Sequence, residues 1–491
     1  MRQNTSAIAG QSRLAHGKIG TGYPQTASLL GGPSHAFSIG GILSVVALHV
    51  LLALLMQRYS FVATIHVFVT VTCSLGIAAV SPRWEDALAA CSYLCGCEVL
   101  WRATRANFFW EGTKYAICLV SLLIFIRHAR KSTPMWPLLY FLLHLPAVIV
   151  TFFDVDIQQS RQLISGNISG PLTIGICCMA FGGREVDSAS LSRVMLSYVG
   201  PVISLATIAS MGTLSLDADS FGKSSNLEAS GGYGPNQVAM TLALAGVLMF
   251  LIPLVEGRIG FKASICYALF IYLIAQSAMT FSRSGLYASA LSLAVGSFLL
   301  FRLKKFRVMT TAAILIGVFL ASLVFPSLDE FTEGKLSDRF DNKSGTGREE
   351  IAKGDIEVGI RTFPWGAGIG QGRIMRGELT GEGRMSHTEY ARLFAEHSLF
   401  GLCALACLGY ALILRLFHPN LGISLAWSGT MITFALLFML VSATRLAIPG
   451  LTLALGLLIV KGDQRLREGK IRPPMINGPQ NVPQRHVRYL R

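Results

Sequence analysis

The chain has 491 residues, of which 52% are hydrophobic and only 14% are charged, and its formal net charge is +15. A soluble protein covers its surface with polar groups and carries roughly 25% charged residues, so this composition excludes an ordinary soluble enzyme. The apolar runs are continuous and about 20 residues long, which predicts membrane-spanning helices and not the alternating strands of a barrel. Much of the positive charge lies in short loops and tails, where it contacts anionic lipid, so we expect no nucleic-acid partner.

The first 34 residues form a polar segment, rich in Gly and Ser, that has no early apolar core. This composition is not that of a cleavable signal peptide, and we expect a cytoplasmic tail. Residues 35–460 are predicted to form one all-α, polytopic membrane domain with about 14 transmembrane helices, and at least 12. The third, fourth, sixth and last of these are short for a full crossing. The predicted spans are 36–56, 60–80, 87–103, 114–127, 134–152, 170–183, 194–215, 237–255, 261–281, 285–301, 308–326, 391–414, 422–443 and 446–460.

The ten cysteines all fall within or at the ends of apolar segments. Their densest group is Cys91, Cys95 and Cys97, and a zinc site there would need a partner pair and further polar ligands. Packing of helix against helix explains them more simply, so we predict no metal site. In the same span, Glu98 and Arg102 are one turn apart; they either mark a function or pair with each other, and we favour the pair.

Lys and Arg concentrate in alternate loops, and the positive-inside rule assigns those loops to the cytoplasm. Both termini are then cytoplasmic. The basic positions are Arg127, Arg130 and Lys131; Arg184 and Arg193; Arg258 and Lys262; Arg302, Lys304, Lys305 and Arg307; and the tail 461–491. The loops predicted to lie outside are 104–113, 153–169, 216–236, 282–284 and 327–390.

The longest outer loop, residues 327–390, is predicted to be partly helical and functional, because loops of more than about 15 residues are otherwise uncommon. It contains a helix-like stretch from Arg348 to Val358, an apolar Phe363-Pro364-Trp365 and the glycine-rich run 366–373. Glycine at every second position lets the backbone approach a ligand and expose N–H groups to an anion. A nucleotide-binding loop is the weaker interpretation, because the run follows no strand and faces away from cytosolic nucleotides.

Three side chains near this loop are candidates for chemistry. Arg283 lies in a Ser-Arg-Ser-Gly turn at the outer boundary, where it either snorkels to headgroups or lines a polar site; the two hydroxyls favour the site. Arg348 opens the helix-like stretch, and by itself it is most simply the partner of Glu349 and Glu350 on a solvated face. His387 lies where the loop re-enters the membrane. It suits proton transfer near neutral pH, although a lone histidine there is more often structural.

The order of these elements resembles the bacterial O-antigen ligase and Wzy-type polysaccharide polymerase superfamily. The Ser-Arg-Ser-Gly turn is followed by two spans with a basic hairpin and then by the long outer loop. That loop carries a Gly-Arg, a Pro-Trp-Gly-x-Gly-x-Gly segment and a His-Thr-Glu-Tyr-x-x-x-x-x-Glu run that leads into a helix. The resemblance covers about residues 230–415, including Gly234-Pro-Asn236. It departs at Glu396-His397-Ser398, where members often place glycine directly after the glutamate.

The resemblance implies transfer of a glycan from an undecaprenyl-pyrophosphate carrier to an acceptor hydroxyl, on the outer face of the bacterial cytoplasmic membrane. Arg283 and Arg348 would hold the pyrophosphate. His387 would be the general base, with Glu389 or Glu396 as its alternative or its orienting partner. No metal or cofactor is expected, because arginines can supply the positive charge. The further substrate-binding candidates are Arg361, Arg373, Asn236, Trp365 and Tyr390.

Within that superfamily we expect an inverting polymerase of surface or exopolysaccharide repeat units, which only the span count favours over a ligase that attaches O-antigen to lipid A core. A protein O-glycosyltransferase is a third choice of acceptor. A lipid-linked oligosaccharide flippase is the alternative from another class, but it predicts repeated halves and a path of ionisable residues through the membrane. The expected partners are the lipid-linked donor, a glycan acceptor, membrane lipids, a chain-length regulator and export proteins.

Overall fold

The computed structural model describes residues 38–461 apart from 131–132, 223, 258–259, 303, 305–306, 342–346 and 418–421. The predicted N-terminal tail, and the basic C-terminal tail after its first residue, lie outside the described residues. The described part is almost entirely helical. The helices are α1 Ile39–Arg58, α2 Ser60–Val80, α3 Trp84–Ala103, α4 Gly112–Arg127, α5 Trp136–Leu142, α6 Leu145–Asp154, α7 Ile157–Phe181, α8 Ser188–Leu214, α9 Pro235–Glu256, α10 Phe261–Met279, α11 Arg283–Phe301, α12 Arg307–Phe331, α13 Lys335–Asp341, α14 Arg348–Arg361, α15 Gly372–Thr380, α16 Glu389–Leu416, α17 Ile423–Ser442 and α18 Ile448–Gly456. Two strands, β1 Glu185–Val186 and β2 Ile459–Val460, form a short parallel pair.

The predicted fold class, an all-α polytopic membrane protein, is confirmed. Each of the 14 predicted spans corresponds to one helix or, for 134–152, to the consecutive pair α5 and α6. Within the described residues, 11 helical stretches are long and apolar enough to cross a membrane. The other three are α3, which carries four charged side chains, α4, which has 16 residues, and α18, which has 9. The sixth span is longer than predicted, because α7 already begins at Ile157.

The centre of the bundle is α9, whose apolar stretch is 94% buried, against 22% for α1. It packs on α8, α10 and α11. The outer helices expose large apolar side chains such as Leu48, Phe61 and Phe68. Water would penalise such a surface, whereas lipid accepts it, so these faces are the ones that contact the bilayer.

The loops fall into two groups, one at each end of the helices, as the charge pattern predicts. In the basic group, Arg130 donates to the Gly182 carbonyl oxygen at 2.5 Å, and β1–β2 joins the loop after α7 to the chain after α18. In the other group, Arg339 of α13 donates to the Phe281 carbonyl oxygen at 3.1 Å. The loops 104–113 and 216–236 meet there as well, through ring contact between Trp110 and Tyr233. The predicted outer loops therefore share one face of the protein.

Buried polar groups inside the bundle are largely paired. Glu98 and Arg102 form the ion pair that their spacing predicts, at 2.7 Å. Glu98 also accepts from the Ala447 backbone N–H at 2.7 Å, and Arg102 donates to the Tyr233 hydroxyl at 3.1 Å. These bonds tie α3 to the start of α18 and to the loop before α9. In the part of the chain that the structure describes, no three His, Cys, Asp or Glu side chains are grouped as metal ligands.

Candidate active site

The turn that carries Arg283 is fixed from several sides. Phe281 adopts a left-handed conformation (φ 56°), and its buried ring stacks on Phe221 with centroids 5.1 Å apart. The Ser282 hydroxyl donates to the Asn236 side-chain oxygen at 2.7 Å and lies 2.8 Å from the Ser284 hydroxyl. Because α11 begins at Arg283, these contacts set the direction of its side chain. Asn236, predicted to bind substrate, therefore acts on this turn.

Three arginines from separate segments are electrostatic neighbours at this face. Burial, followed by the positive charges of Arg283 and Arg339, lowers the pKa of Arg348. Burial and the charge of Arg283 likewise lower the pKa of Arg339. The Arg348 Nε is buried and has no hydrogen-bond partner among the described residues, and no carboxylate there forms an ion pair with this side chain. Like charges held together in this way favour the binding of an anion between them.

His387 is partly buried beside this cluster. Burial, followed by the positive charges of Arg348, Arg445, Arg384 and Arg376, lowers the pKa of His387 to about 4. The imidazole is therefore neutral at neutral pH and can accept a proton. The structure brings together Arg283, Arg348 and His387, the three residues that the sequence predicts to carry the chemistry.

The segment that ends at His387 is held by a buried arginine. The Arg376 guanidinium is 0% exposed and donates to the Glu382 carbonyl oxygen at 2.9 Å and to the Ser386 hydroxyl at 3.0 Å. It also donates to the Arg384 carbonyl oxygen and forms an ion pair with Asp355 of α14. These contacts connect α14, α15 and residues 382–386 into one rigid unit.

Glu389 and Glu396 share one partner. Arg392 donates to Glu389 at 2.7 Å and to Glu396 at 2.8 Å, all three on α16. Glu389 also accepts from the Thr444 backbone N–H at 3.1 Å and from its hydroxyl at 3.0 Å. Neither carboxylate hydrogen-bonds to His387 within the described residues. Glu389 therefore connects α16 to the end of α17, whereas Glu396 lines a cavity described below.

The glycine-rich run packs closely on α16 and α6. Gly366, Gly368 and Gly370 all have positive φ, between 76° and 92°. A Cβ on Gly366 would overlap the Glu396 carbonyl of α16, and one on Gly368 would lie 2.7 Å from the Thr151 hydroxyl of α6. The N–H of Gly368 is donated to the Glu396 carbonyl at 3.1 Å. In this part of the run the N–H groups of Gly366, Ala367 and Gly368 are therefore bound by carbonyl oxygens of the protein.

Three predicted substrate-binding residues have other contacts in the described part of the chain. Arg361 ends α14, about 20 Å along the helix from Arg348, and pairs with exposed Glu357 at 2.5 Å. Trp365 is 58% exposed and packs on Phe400 with centroids 5.5 Å apart. The Tyr390 hydroxyl donates to the Leu436 carbonyl of α17 at 2.9 Å, so it faces the bundle.

A cavity of about 390 Å³, most of whose lining residues are polar or charged, reaches Ser386, the residue before His387. Trp110 lines it from the loop before α4, Gln162 and Asn167 from the first half of α7, and Gln237 from the start of α9. Arg373 of α15 lines it from the long loop. Ser386, Glu396 and Arg445 also line it, and Ser386 is the residue that precedes His387. Its volume lies within the range of small-molecule sites, roughly 300–1,000 Å³.

Arg445 is a site residue that the sequence analysis missed. It lies in the turn between α17 and α18 and donates to the Ser386 carbonyl oxygen at 2.5 Å. Burial, followed by the positive charges of Arg392 and Arg348, lowers the pKa of Arg445. A signal was present, because Arg445 is a single arginine between the apolar runs 422–443 and 446–460, as Arg283 is between 261–281 and 285–301. Arg339 and Arg376 carry no such signal, since their roles depend on contacts with distant segments.

The chain matches a known protein family over part of its length. The family model described as O-antigen ligase matches residues 268–406. No curated protein and no solved structure matches the chain. The match contains the Arg283 turn, the outer loop and the first half of α16, and it leaves Asn236 and Arg445 outside. The predicted resemblance to the O-antigen ligase and polysaccharide polymerase superfamily is confirmed over these residues.

Proposed function

We propose that this protein transfers a glycan from an undecaprenyl-pyrophosphate carrier to the hydroxyl of an acceptor glycan, and that it acts as a polymerase of polysaccharide repeat units. The observation that carries the proposal is the convergence of Arg283 and Arg348 beside a neutral His387. The match to the O-antigen ligase family over residues 268–406 supports the same class of reaction.

The arginine cluster suits the leaving group of this reaction. When the bond between the anomeric carbon and the pyrophosphate oxygen breaks, the electron pair stays on the pyrophosphate, where negative charge develops. Arginine remains charged at any physiological pH and binds phosphate oxygens through two parallel N–H bonds. Arg283, Arg339 and Arg348 can therefore stabilise the charge that forms in the transition state, a task that other enzymes give to a metal ion.

His387 suits the activation of the acceptor. The neutral imidazole takes the proton of the acceptor hydroxyl while that oxygen forms a bond to the anomeric carbon. A single displacement of this kind inverts the anomeric configuration. Binding of the donor would also change the pKa of His387. The negative charge of the pyrophosphate offsets the positive charges of Arg348 and Arg445, so the pKa rises from about 4 toward neutral pH.

Attachment of finished polymer to lipid A core is a second candidate, favoured by the description of the matching family as O-antigen ligase. Both reactions use the same donor and differ in the acceptor. Transport of a lipid-linked oligosaccharide has less support, because the charged cluster lies at one face of the bundle and not along a path through it.

The proposed setting is the bacterial cytoplasmic membrane, with the cluster facing outward and both termini in the cytoplasm. The distribution of Lys and Arg supports this orientation. A chain-length regulator and export proteins are the proposed partners, because a polymerase has to be coupled to control of length and to release.

Analysis of lipid-linked glycans in a deletion strain tests the proposal. We expect a single repeat unit on the carrier to accumulate, and polymer to return on complementation with the wild type. Long carrier-linked polymer that remains unattached would mark a ligase instead. Normal amounts of attached polymer in the deletion strain would contradict both reactions.

A further inference from the structure

The cavity beside His387 is distinct from the arginine cluster that suits the pyrophosphate. Arg283, Arg339 and Arg348 are not among the described residues that line it. The two sites are joined at Ser386 and Arg445: both line the cavity, Ser386 precedes His387, and Arg445 is an electrostatic neighbour of Arg348. A ligand in the cavity would therefore lie next to the base.

The lining of the cavity is typical of a site for sugars. The side-chain amides of Gln162 and Gln237 make no hydrogen bond to any other described residue, so their donors and acceptors are available. Trp110 is 61% exposed, and the Arg102 guanidinium lies 4.4 Å from its ring centroid and fixes the ring. Amides match the paired donor and acceptor character of sugar hydroxyls, and an indole face packs on a sugar ring.

The charges of the cavity leave a positive surplus. Glu111 pairs with Lys114, and Glu396 pairs with Arg392 at 2.8 Å, a guanidinium that Glu396 shares with Glu389 behind the cavity. These three carboxylates and two cations carry a net charge of −1, which the two remaining arginines of the lining exceed. Arg373 and Arg445 also line the cavity, and neither forms an ion pair with a carboxylate in the described part of the chain. Among the described residues, the Arg373 Nη1 contacts the Met385 sulfur at 3.4 Å, and Arg445 donates to the Ser386 carbonyl oxygen.

We propose that this cavity binds the acceptor glycan and selects one that carries an acidic sugar, whose carboxylate is bound by Arg373 and Arg445. The inference rests on the proposed transfer reaction and adds its acceptor. The amides of Gln162 and Gln237 bind the sugar hydroxyls, and Trp110 packs on the ring. The reacting hydroxyl is then held on the Ser386 side, where His387 can take its proton.

Ligand-observed saturation-transfer NMR on the purified protein in nanodiscs tests the inference without any enzymatic turnover. The probes are D-glucuronate, D-glucose and inorganic pyrophosphate at matched concentrations. We expect binding of glucuronate in preference to glucose, and about tenfold weaker binding of glucuronate by Arg373→Gln, because a charge-assisted hydrogen bond is lost. Trp110→Ala is expected to weaken the binding of both glucuronate and glucose. Lys353→Gln, which removes a cation from an exposed pair with Glu349 on the same loop, is the control and should bind as the wild type does.

Equal binding of glucose and glucuronate, or full glucuronate binding by Arg373→Gln, would overturn the inference. Displacement of glucuronate by pyrophosphate in the wild type and equally in Arg348→Gln would also overturn it, because the cavity would then be the anion site of the donor. Melting temperatures equal to that of the wild type exclude a folding defect in each variant. The proposed function fails separately: if Arg348→Gln still makes full-length polymer in cells, the transfer mechanism is wrong even where glucuronate binds.

Discussion

The Arg376 guanidinium and the Asp355 carboxylate form an ion pair in the interior of the long outer loop, and neither side chain is exposed. The same guanidinium binds Ser386, the residue that precedes His387. The position of the proposed base is thus set by a buried pair that joins α14 to α15. A buried charge without a partner is strongly destabilising, so removal of either residue is expected to destabilise the folded loop.

Asp355→Asn is expected to release the segment 382–387. Breaking a buried pair from one side costs about 3–5 kcal/mol, because the remaining charge is buried without compensation. We expect protease cleavage within this segment and loss of polymer, with the spans still folded. Glu357→Gln is the control: its pair with Arg361 is about half exposed, so the loss is about 0–1 kcal/mol. Equal protease resistance of Asp355→Asn and wild type would contradict this role.

Gly366→Ala tests whether the glycine-rich run packs on α16. Gly366 has φ +86°, and a Cβ there would overlap the Glu396 carbonyl. Strain and overlap together are expected to cost roughly 2–4 kcal/mol, and the melting temperature should fall by several degrees. Gly383→Ala, in the same loop, has nothing within 4 Å and no positive φ, and should melt as the wild type does. Similar melting of the two variants would mean that the run does not need its glycines for packing.

The pH dependence of a reconstituted assay with the lipid-linked donor tests the coupling between base and donor. His387 has a pKa of about 4 in the free protein. As the pH falls, kcat/KM should therefore stay constant until His387 is protonated near pH 4. With donor bound, the offset arginine charges raise this pKa. The acid limb of kcat should therefore lie at higher pH than that of kcat/KM. Coincident limbs would argue against an anion beside His387.

The lowered pKa of His387 also makes the free energy of unfolding depend on pH. The ordinary value for His387 is 6.5 and the folded value is about 4, so between these pH values the unfolded chain binds a proton that the folded chain does not. Stability from this residue therefore decreases as pH falls through that window. A His387→Gln variant should lose less stability than the wild type between neutral pH and pH 4, measured by denaturant unfolding.

Labelling of introduced cysteines tests the proposed orientation. The Asp219 side chain is fully exposed on the face that carries the arginine cluster, and Glu185 is 58% exposed on the basic face. In intact spheroplasts, a membrane-impermeant maleimide should label Asp219→Cys, whereas Glu185→Cys should react only after permeabilisation. The parent protein, with its ten cysteines inside helices, is the control. The reverse pattern would place the site in the cytoplasm.

The sequence was informative wherever one local property determines the outcome. Apolar runs of membrane length located the membrane helices, with α5 and α6 as one span and α7 shorter than it is, because they depend on local composition. The orientation inferred from the alternation of basic loops stays a prediction. Arg283 and His387 could be predicted as candidates because each is a polar residue at the boundary of an apolar run. Arg445 offered the same signal and could have been found in the same way.

The remaining features depend on contacts between distant segments. Arg376 looks like any surface arginine until the loop brings Asp355 to it, and Arg339 acquires its role only when α13 returns to the Arg283 turn. The role of the glycine-rich run could not be predicted from the sequence for a physical reason. A glycine needed for positive φ against a helix has the same letter in the sequence as a glycine needed beside a ligand.

The most direct test of the central claim is polysaccharide chain length, measured by gel in a deletion strain that carries the wild type, Arg283→Ala, Arg348→Ala or His387→Ala at matched protein levels. Lys353→Ala serves as the control, because its pair with Glu349 is exposed. We predict that wild type and control restore polymer and that each of the three variants loses it by at least about 100-fold, the usual effect of removing a general base or a group that stabilises transition-state charge. Full polymer from all three variants would contradict the assignment of this cluster as the active site.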